Sequence, residues 1–149
     1  MKKGKKGLVI LSSKKKLSFL SDPKYMKHKG FQTADTAAPY FELMYLPFVP
    51  NADKPCFRNT VHEYENIPKG FVLYYTNQCP FTAKYVPVLE AMAQSRGANL
   101  QVIHIQSREQ AQNAPSPFTT FSLFYDGELA AHEILSEKKF DKILTGKGF

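Results

Sequence analysis

Phe71-Val72-Leu73-Tyr74-Tyr75-Thr76-Asn77-Gln78-Cys79-Pro80 is the stretch on which the reading of this chain turns. The β-branched and aromatic run over 71–76 has the composition of a central strand. It stops at the polar pair Asn77 and Gln78, and Pro80 suits the first position of a helix, where a missing N–H costs nothing. From there Phe81, Tyr85, Val88, Leu89 and Met92 recur at i, i+4, i+7, i+8 and i+11, which predicts one apolar face of a helix of about four turns. Gly97 supplies its left-handed close.

Downstream, residues 100–105 predict a second strand, and Ser107 with Gln110 has the spacing of a capping box opening a short helix. After Pro115-Ser116-Pro117, two strand-like runs over 118–125 and 129–134 flank Asp126-Gly127, the residue pair of a type I′ hairpin. Ser136 can cap a last helix carrying Phe140, Ile143 and Leu144. The expected order is βαβαββα. Upstream, residues 47–70 contain four of the ten prolines and read as a linker or irregular lid. Before them, residues 8–11 fit a short buried strand, and Asp22 and Pro23 open a short helix that ends at Gly30. Phe31 leads into one more strand. Another spans 40–46, with Phe41, Leu43 and Tyr45 on one face and Glu42 on the other. The expected class is α/β: a βαββ segment over 1–48, a proline-rich linker over 49–68 and a βαβαββα domain over 69–149. So small a first segment can hardly bury a core alone, so it is expected to pack on the second region or on another copy of the chain.

Composition narrows the function. The chain has 149 residues and is 43% hydrophobic, enough for a real core. Its net charge of +7 is local: residues 1–30 hold ten lysines and one aspartate, and the remaining residues are slightly acidic. The lysines fall in two blocks, Lys2 to Lys6 and Lys14-Lys15-Lys16, without arginine forks or stacking rings, which argues against nucleic acid and for a solvated face. A phosphate-bearing small ligand would also suit them. No apolar run is long enough to span a membrane, and the basic start lacks the apolar stretch of a signal peptide, so the expected setting is cytoplasmic. Two cysteines make no disulfide framework, and four scattered histidines have no metal-ligand spacing. His104 and His132 fall on expected strands, as structural residues.

Cys79 carries the chemistry. A cysteine where a strand ends and a helix begins lies near unpaired backbone N–H groups and the positive end of the helix dipole, a setting that favours the thiolate. The βαβαββα order, Cys79-Pro80-Phe81-Thr82, Pro87 eight residues on, and Phe124-Tyr125-Asp126-Gly127 together resemble the thioredoxin-like fold. That resemblance implies a catalytic Cys79, with Pro80, Phe81, Ser116 and Pro117 lining a substrate surface and Pro117 as a candidate cis-proline. A threonine replaces the second cysteine of the dithiol motif. Thr82 could then donate a hydrogen bond to a Cys79 thiolate, leaving a monothiol that an external thiol or Cys56 resolves. The rival reading is a noncatalytic module that binds a substrate or partner.

The first region carries a second resemblance. Gly7-Leu8-Val9-Ile10-Leu11, the helix end Tyr25-Met26-Lys27-His28-Lys29-Gly30-Phe31 and the strand Tyr40-Phe41-Glu42-Leu43-Met44 resemble the C-terminal half of GNAT N-acetyltransferases. With the Cys79 module behind it, the chain resembles the YoaP-like family, in which a GNAT domain precedes a thioredoxin-like module. The resemblance implies N-acetyl transfer from acetyl-CoA to a small-molecule substrate. No glycine-rich phosphate loop opening a helix is present, so acetyl transfer by this chain alone is not expected. The tyrosine that such enzymes use as general acid falls at Met26, which leaves Tyr25, one step off, as a weak catalytic candidate.

Overall fold

The computed structural model describes residues 4–149. Its contacts fall into two compact units, Met1–His62 and Glu63–Phe149. In the first, three antiparallel strands, β1 (Gly7–Ser13), β2 (Gln32–Ala37) and β3 (Phe41–Pro47), lie in the order β1-β3-β2. Helix α1 (Pro23–His28) connects β1 to β2. Its start is the expected one: the Asp22 carboxylate accepts the N–H groups of Lys24 and Tyr25 at 2.9 and 3.2 Å. Gly30 closes it at a φ of 88°.

Strand β3 departs from the simple alternation. Phe41 and Met44, on opposite faces, are both fully buried, and Glu42, expected to face outward, is buried as well. The reason is that β3 is the central strand and both of its faces are covered. On the Met44 and Leu46 side the end of α1 approaches closely enough that a Cβ at Gly30 would lie 3.5 Å from Leu46. On the Tyr45 side run Pro50, Ala52 and Lys54, and Asp35 accepts the Phe57 N–H at 2.8 Å. Residues 49–62 are thus folded against the first unit, and Val61 is buried in a 3₁₀ turn over Asn59–His62.

The second unit has four strands in the order β5-β4-β6-β7: β4 (Phe71–Tyr75), β5 (Leu100–His104), β6 (Phe121–Tyr125) and β7 (Glu128–Ala131). Strands β4 and β5 are parallel and the other pairs antiparallel. With α2 (Pro80–Ser95), α3 (Arg108–Gln112) and α4 (Glu137–Gly146) the order is the expected βαβαββα, a thioredoxin-like arrangement. The capping box forms as its spacing predicts: Ser107 Oγ accepts the Gln110 N–H, and the Gln110 side chain accepts the Ser107 N–H. Asp126 and Gly127 both take positive φ, 49° and 84°, as a type I′ turn requires.

The core lies between one sheet face and helices α2 and α4: Phe71, Leu73, Phe121 and Leu123 pack with Val86, Leu89, Ala93, Phe140 and Leu144. The opposite face, with Val72 and Phe124, is covered by Ile67 and Tyr64 from a 3₁₀ segment. One expectation is corrected. The buried face of α2 is Thr82, Val86, Leu89 and Ala93, and Phe81 is 57% exposed. The helix is rotated by about one residue from the face that apolarity alone selects, because a threonine that satisfies its hydroxyl on backbone carbonyls can enter the core. Arg96, the C-cap of α2, ties the helix to α4 through the Asp141 carboxylate, the Thr145 hydroxyl at 3.0 Å and the Phe149 carbonyl.

Candidate functional site

The carboxyl ends of β4 and β5 and the amino end of β6 meet at one edge of the second unit's sheet, since Tyr75 lies opposite both His104 and Phe121. Cys79 is at that edge. It is the N-cap of α2, with φ −116° and ψ 126°, half-buried, and its side chain makes no capping hydrogen bond. The first helical turn is a poorer donor than the sequence suggests. Pro80 has no N–H, and the Thr82 N–H is bonded to the Cys79 carbonyl at 3.1 Å.

The turn that carries the sulfur is stitched on three sides. Thr76 donates its N–H to the Thr120 carbonyl at 3.3 Å, and the Thr120 hydroxyl donates to Gln78 Oε1 at 3.0 Å. The Thr82 hydroxyl lies 2.9 Å from the Thr76 carbonyl and 2.7 Å from the Cys79 carbonyl, and Thr82 is fully buried. This corrects the role assigned to Thr82. Its one hydroxyl proton is directed at carbonyl oxygens, so it braces the backbone of the turn and does not serve the sulfur. Beside the turn, Tyr75 and His104 stack at 4.5 Å with planes 7° apart, and His104 Nδ1 lies 3.2 Å from Gln106 Nε2.

The 115–118 segment also differs from expectation. Among the described residues the one cis peptide bond is Ala38-Pro39, so Pro117 is trans. The local hydrogen bonds account for the shape. Ser116 Oγ accepts the Phe118 N–H at 3.1 Å and lies 2.8 Å from Ser122 Oγ, which donates to the Phe118 carbonyl at 2.6 Å. Ser116 and Ser122 are both buried, so this hydroxyl pair locks the turn from inside and Ser116 is not offered to a ligand. Phe118 meets His132 edge to face at 5.6 Å.

Of the residues singled out from sequence, Cys79, Pro80, Phe81 and Thr82 therefore stand together at the start of α2. Tyr25 belongs to the first unit, where it is 54% exposed and carries the Lys29 ammonium 5.4 Å from its ring centre. Cys56 is also in that unit, exposed and unpaired as a disulfide. The residues that sequence reading missed are Gln78, Thr120 and the Tyr75 and His104 pair. Strand register brings Thr120 to Gln78 and His104 to Tyr75, and no local spacing signals either pairing. Among the described residues no group of three or more His, Cys, Asp and Glu side chains is placed to hold a metal. No helix among them is long and apolar enough to cross a membrane.

Residues 99–142, from β5 through most of α4, match the YoaP-like family. The chain carries a YoaP-like domain. It is 42% identical over 142 residues to an uncharacterized N-acetyltransferase YoaP of Bacillus subtilis strain 168, an alignment that takes in 95% of this chain. The similarity therefore extends through the first unit as well as the YoaP-like domain. The chain spans 57% of the length of that relative. No solved structure matches the chain.

Acetyl-CoA, the donor that the family resemblance implies, calls for a glycine-rich turn opening a helix, and among the described residues of the first unit no such turn is present. Gly4 precedes β1 and Gly7 is its first residue, where a Cβ would collide with the Tyr45 ring. Gly7 is there so that Tyr45 can pack over it. A backbone cradle for the donor's pyrophosphate is not formed by these residues.

Proposed function

We propose that this chain is the C-terminal portion of a GNAT-type N-acetyltransferase joined to a thioredoxin-like module that presents Cys79 as a nucleophilic monothiol. The observation that carries the first half is the 42% identity to the Bacillus N-acetyltransferase across 95% of the chain. Acetyl transfer from acetyl-CoA to a small-molecule acceptor is the activity of the longer protein, and this chain alone transfers no acetyl group at a useful rate. The second half rests on the placement of Cys79 as an uncommitted, half-buried cap beside a braced turn. Its sulfur attacks a disulfide, forms a bond to one sulfur and expels the other as a thiolate; an external low-molecular-weight thiol then attacks the mixed disulfide and releases Cys79.

Two measurements test this. Alkylation across a pH series with peptide mapping compares the two cysteines, and Cys79 is expected to label faster than Cys56 despite its lower exposure. A Cys79 that labels no faster in the folded than in the unfolded chain would leave only a binding module. That second reading has its own support: Thr82 and Ser116 spend their hydroxyls on the protein itself. Acetyl transfer is assayed separately, and turnover by this chain alone on any amine would overturn the first half.

A further inference from the structure

A cavity of about 260 Å³ opens in the first unit where β2 begins and β3 ends, and nothing assigned so far uses it. It lies at the far end of the three-stranded sheet from the turn that joins these two strands. Its size falls just under the roughly 300–1,000 Å³ of sites that take drug-sized ligands, so it suits a small molecule.

The lining has an apolar and a polar side. On the apolar side are Tyr45, which is 8% exposed, and Pro47 and Pro50, whose side chains carry no polar atom. The Tyr45 hydroxyl donates to the Lys6 carbonyl at 3.4 Å, which spends its polar end within the protein. On the polar side are the Gln32 amide, the Thr33 hydroxyl and the Lys54 ammonium, and none of these three side chains has a hydrogen bond or ion pair among the described residues. The pairing of β2 with β3 shifts between Thr33 and Asp35, so Ala34, which also lines the cavity, is the extra residue of a bulge that re-aims this edge strand.

The charge here is one-sided. None of the described residues lining the cavity is acidic. The aspartates next to it in sequence are committed elsewhere: Asp53 pairs with Lys6 at 3.0 Å, and Asp35 accepts the N–H groups of Thr36 and Phe57, each at 2.8 Å. Lys54 is left as a single uncompensated cation beside two neutral donors.

We propose that this cavity binds a small monocarboxylate with a compact apolar body. The Lys54 ammonium, the Gln32 amide and the Thr33 hydroxyl donate to the two carboxylate oxygens, and Tyr45, Pro47 and Pro50 enclose the body. One cation with two neutral donors matches a single negative charge spread over two oxygens, whereas a phosphate dianion asks for further cations or a row of backbone N–H groups. An amine would meet Lys54 as a like charge. A neutral ligand would leave the ammonium unmatched.

The test follows the backbone amides of the full chain by heteronuclear NMR during titration with benzoate, benzamide, acetate, benzylamine and inorganic phosphate. Benzoate is expected to shift Gln32, Thr33, Ala34 and Lys54 saturably, to leave β4 and α2 unmoved, and to bind more weakly as salt rises. Benzamide keeps the shape without the charge and acetate keeps the charge without the body, so each should bind about tenfold more weakly or worse. Benzylamine and phosphate should give no saturable shift at these residues. Lys54→Met keeps most of the exposed stem and removes the charge, and it should weaken benzoate binding by about tenfold. No saturable shift with benzoate, shifts centred outside the cavity, benzamide or phosphate binding as tightly as benzoate, or unchanged affinity in Lys54→Met would each overturn the proposal. The comparison of benzoate with benzamide needs no variant, so it decides the matter even where Lys54→Met fails to fold. Neither acetyl transfer nor Cys79 labelling is read, so the result stands apart from the proposed function.

Discussion

Thr82 stands where a dithiol motif would have its second cysteine, and residue chemistry alone allowed it to serve the sulfur of Cys79. Burial and hydrogen-bond direction decide otherwise, because one hydroxyl proton shared between the carbonyls of Thr76 and Cys79 has nothing left for a thiolate. Thr82→Val, which keeps the volume, should therefore cost about 1 kcal/mol by chemical denaturation and leave the alkylation rate of Cys79 unchanged. A slower or faster sulfur in a variant that is still folded would restore the direct contact. Glu42 presents the opposite case. Its Oε2 is buried with no hydrogen-bond partner among the described residues, on the central strand between Ser12 and Thr36. Replacing a buried unsatisfied acceptor by an apolar group of similar length relieves a desolvation cost, so Glu42→Met should be neutral or stabilising by up to about 1 kcal/mol. A clear loss of stability would mean that the carboxylate is satisfied in solution. Asp22, by contrast, is on the surface. The Tyr25 N–H does most to hold its carboxyl below the ordinary aspartate value; desolvation opposes it, and the Lys24 N–H and the Lys16 ammonium add to the lowering. Its stabilising effect is present at neutral pH and is lost as pH falls through that lowered value.

At the scale of elements, the hairpin joining β6 to β7 was legible because its turn needs two residues at positive φ, and Asp126-Gly127 provides them. What no turn rule includes is that Gly127 is also a packing site. A Cβ there would come within 2.9 Å of the Tyr64 carbonyl, a backbone atom of the segment that covers the Phe124 face. Gly127→Ala thus combines an unfavourable φ with a steric clash, and a loss of roughly 1–3 kcal/mol is expected in thermal or urea unfolding. A loss no larger than that of an ordinary surface substitution would place Tyr64 elsewhere. Helix α2 shows the limit of periodicity. Its apolar residues Phe81, Tyr85, Val88 and Met92 mark one face, while the sheet takes the adjacent one through Thr82, Val86, Leu89 and Ala93. Leu89 belongs to both, which is how two faces one residue apart can look alike in sequence.

For the whole molecule, the second unit makes a measurable statement at alkaline pH. Burial pushes the phenols of Tyr64 and Tyr74 above the ordinary tyrosine value. The native state therefore holds their protons more firmly than the unfolded state does, so their contribution to stability is intact below the unfolded value of about 10 and is lost as pH rises through the raised one. A phenolate absorbance titration of the native protein should show a late class that includes Tyr64 and Tyr74, and this class should vanish in denaturant. If no late class exists, the Phe124 face is open to water. The sequence by itself determined the α/β class, the βαβαββα order, the caps at Asp22, Ser107 and Ser136 and the place of Cys79, since each depends on residues within a few positions of one another. Tertiary structure decided the trans state of Pro117, the bracing of the Cys79 turn by Gln78 and Thr120, the burial of Glu42 and the face that α2 buries. Each of these is set by strand register or by competition for a single proton or a single face, between residues as far apart as Gln78 and Thr120, and local spacing carries no record of that competition.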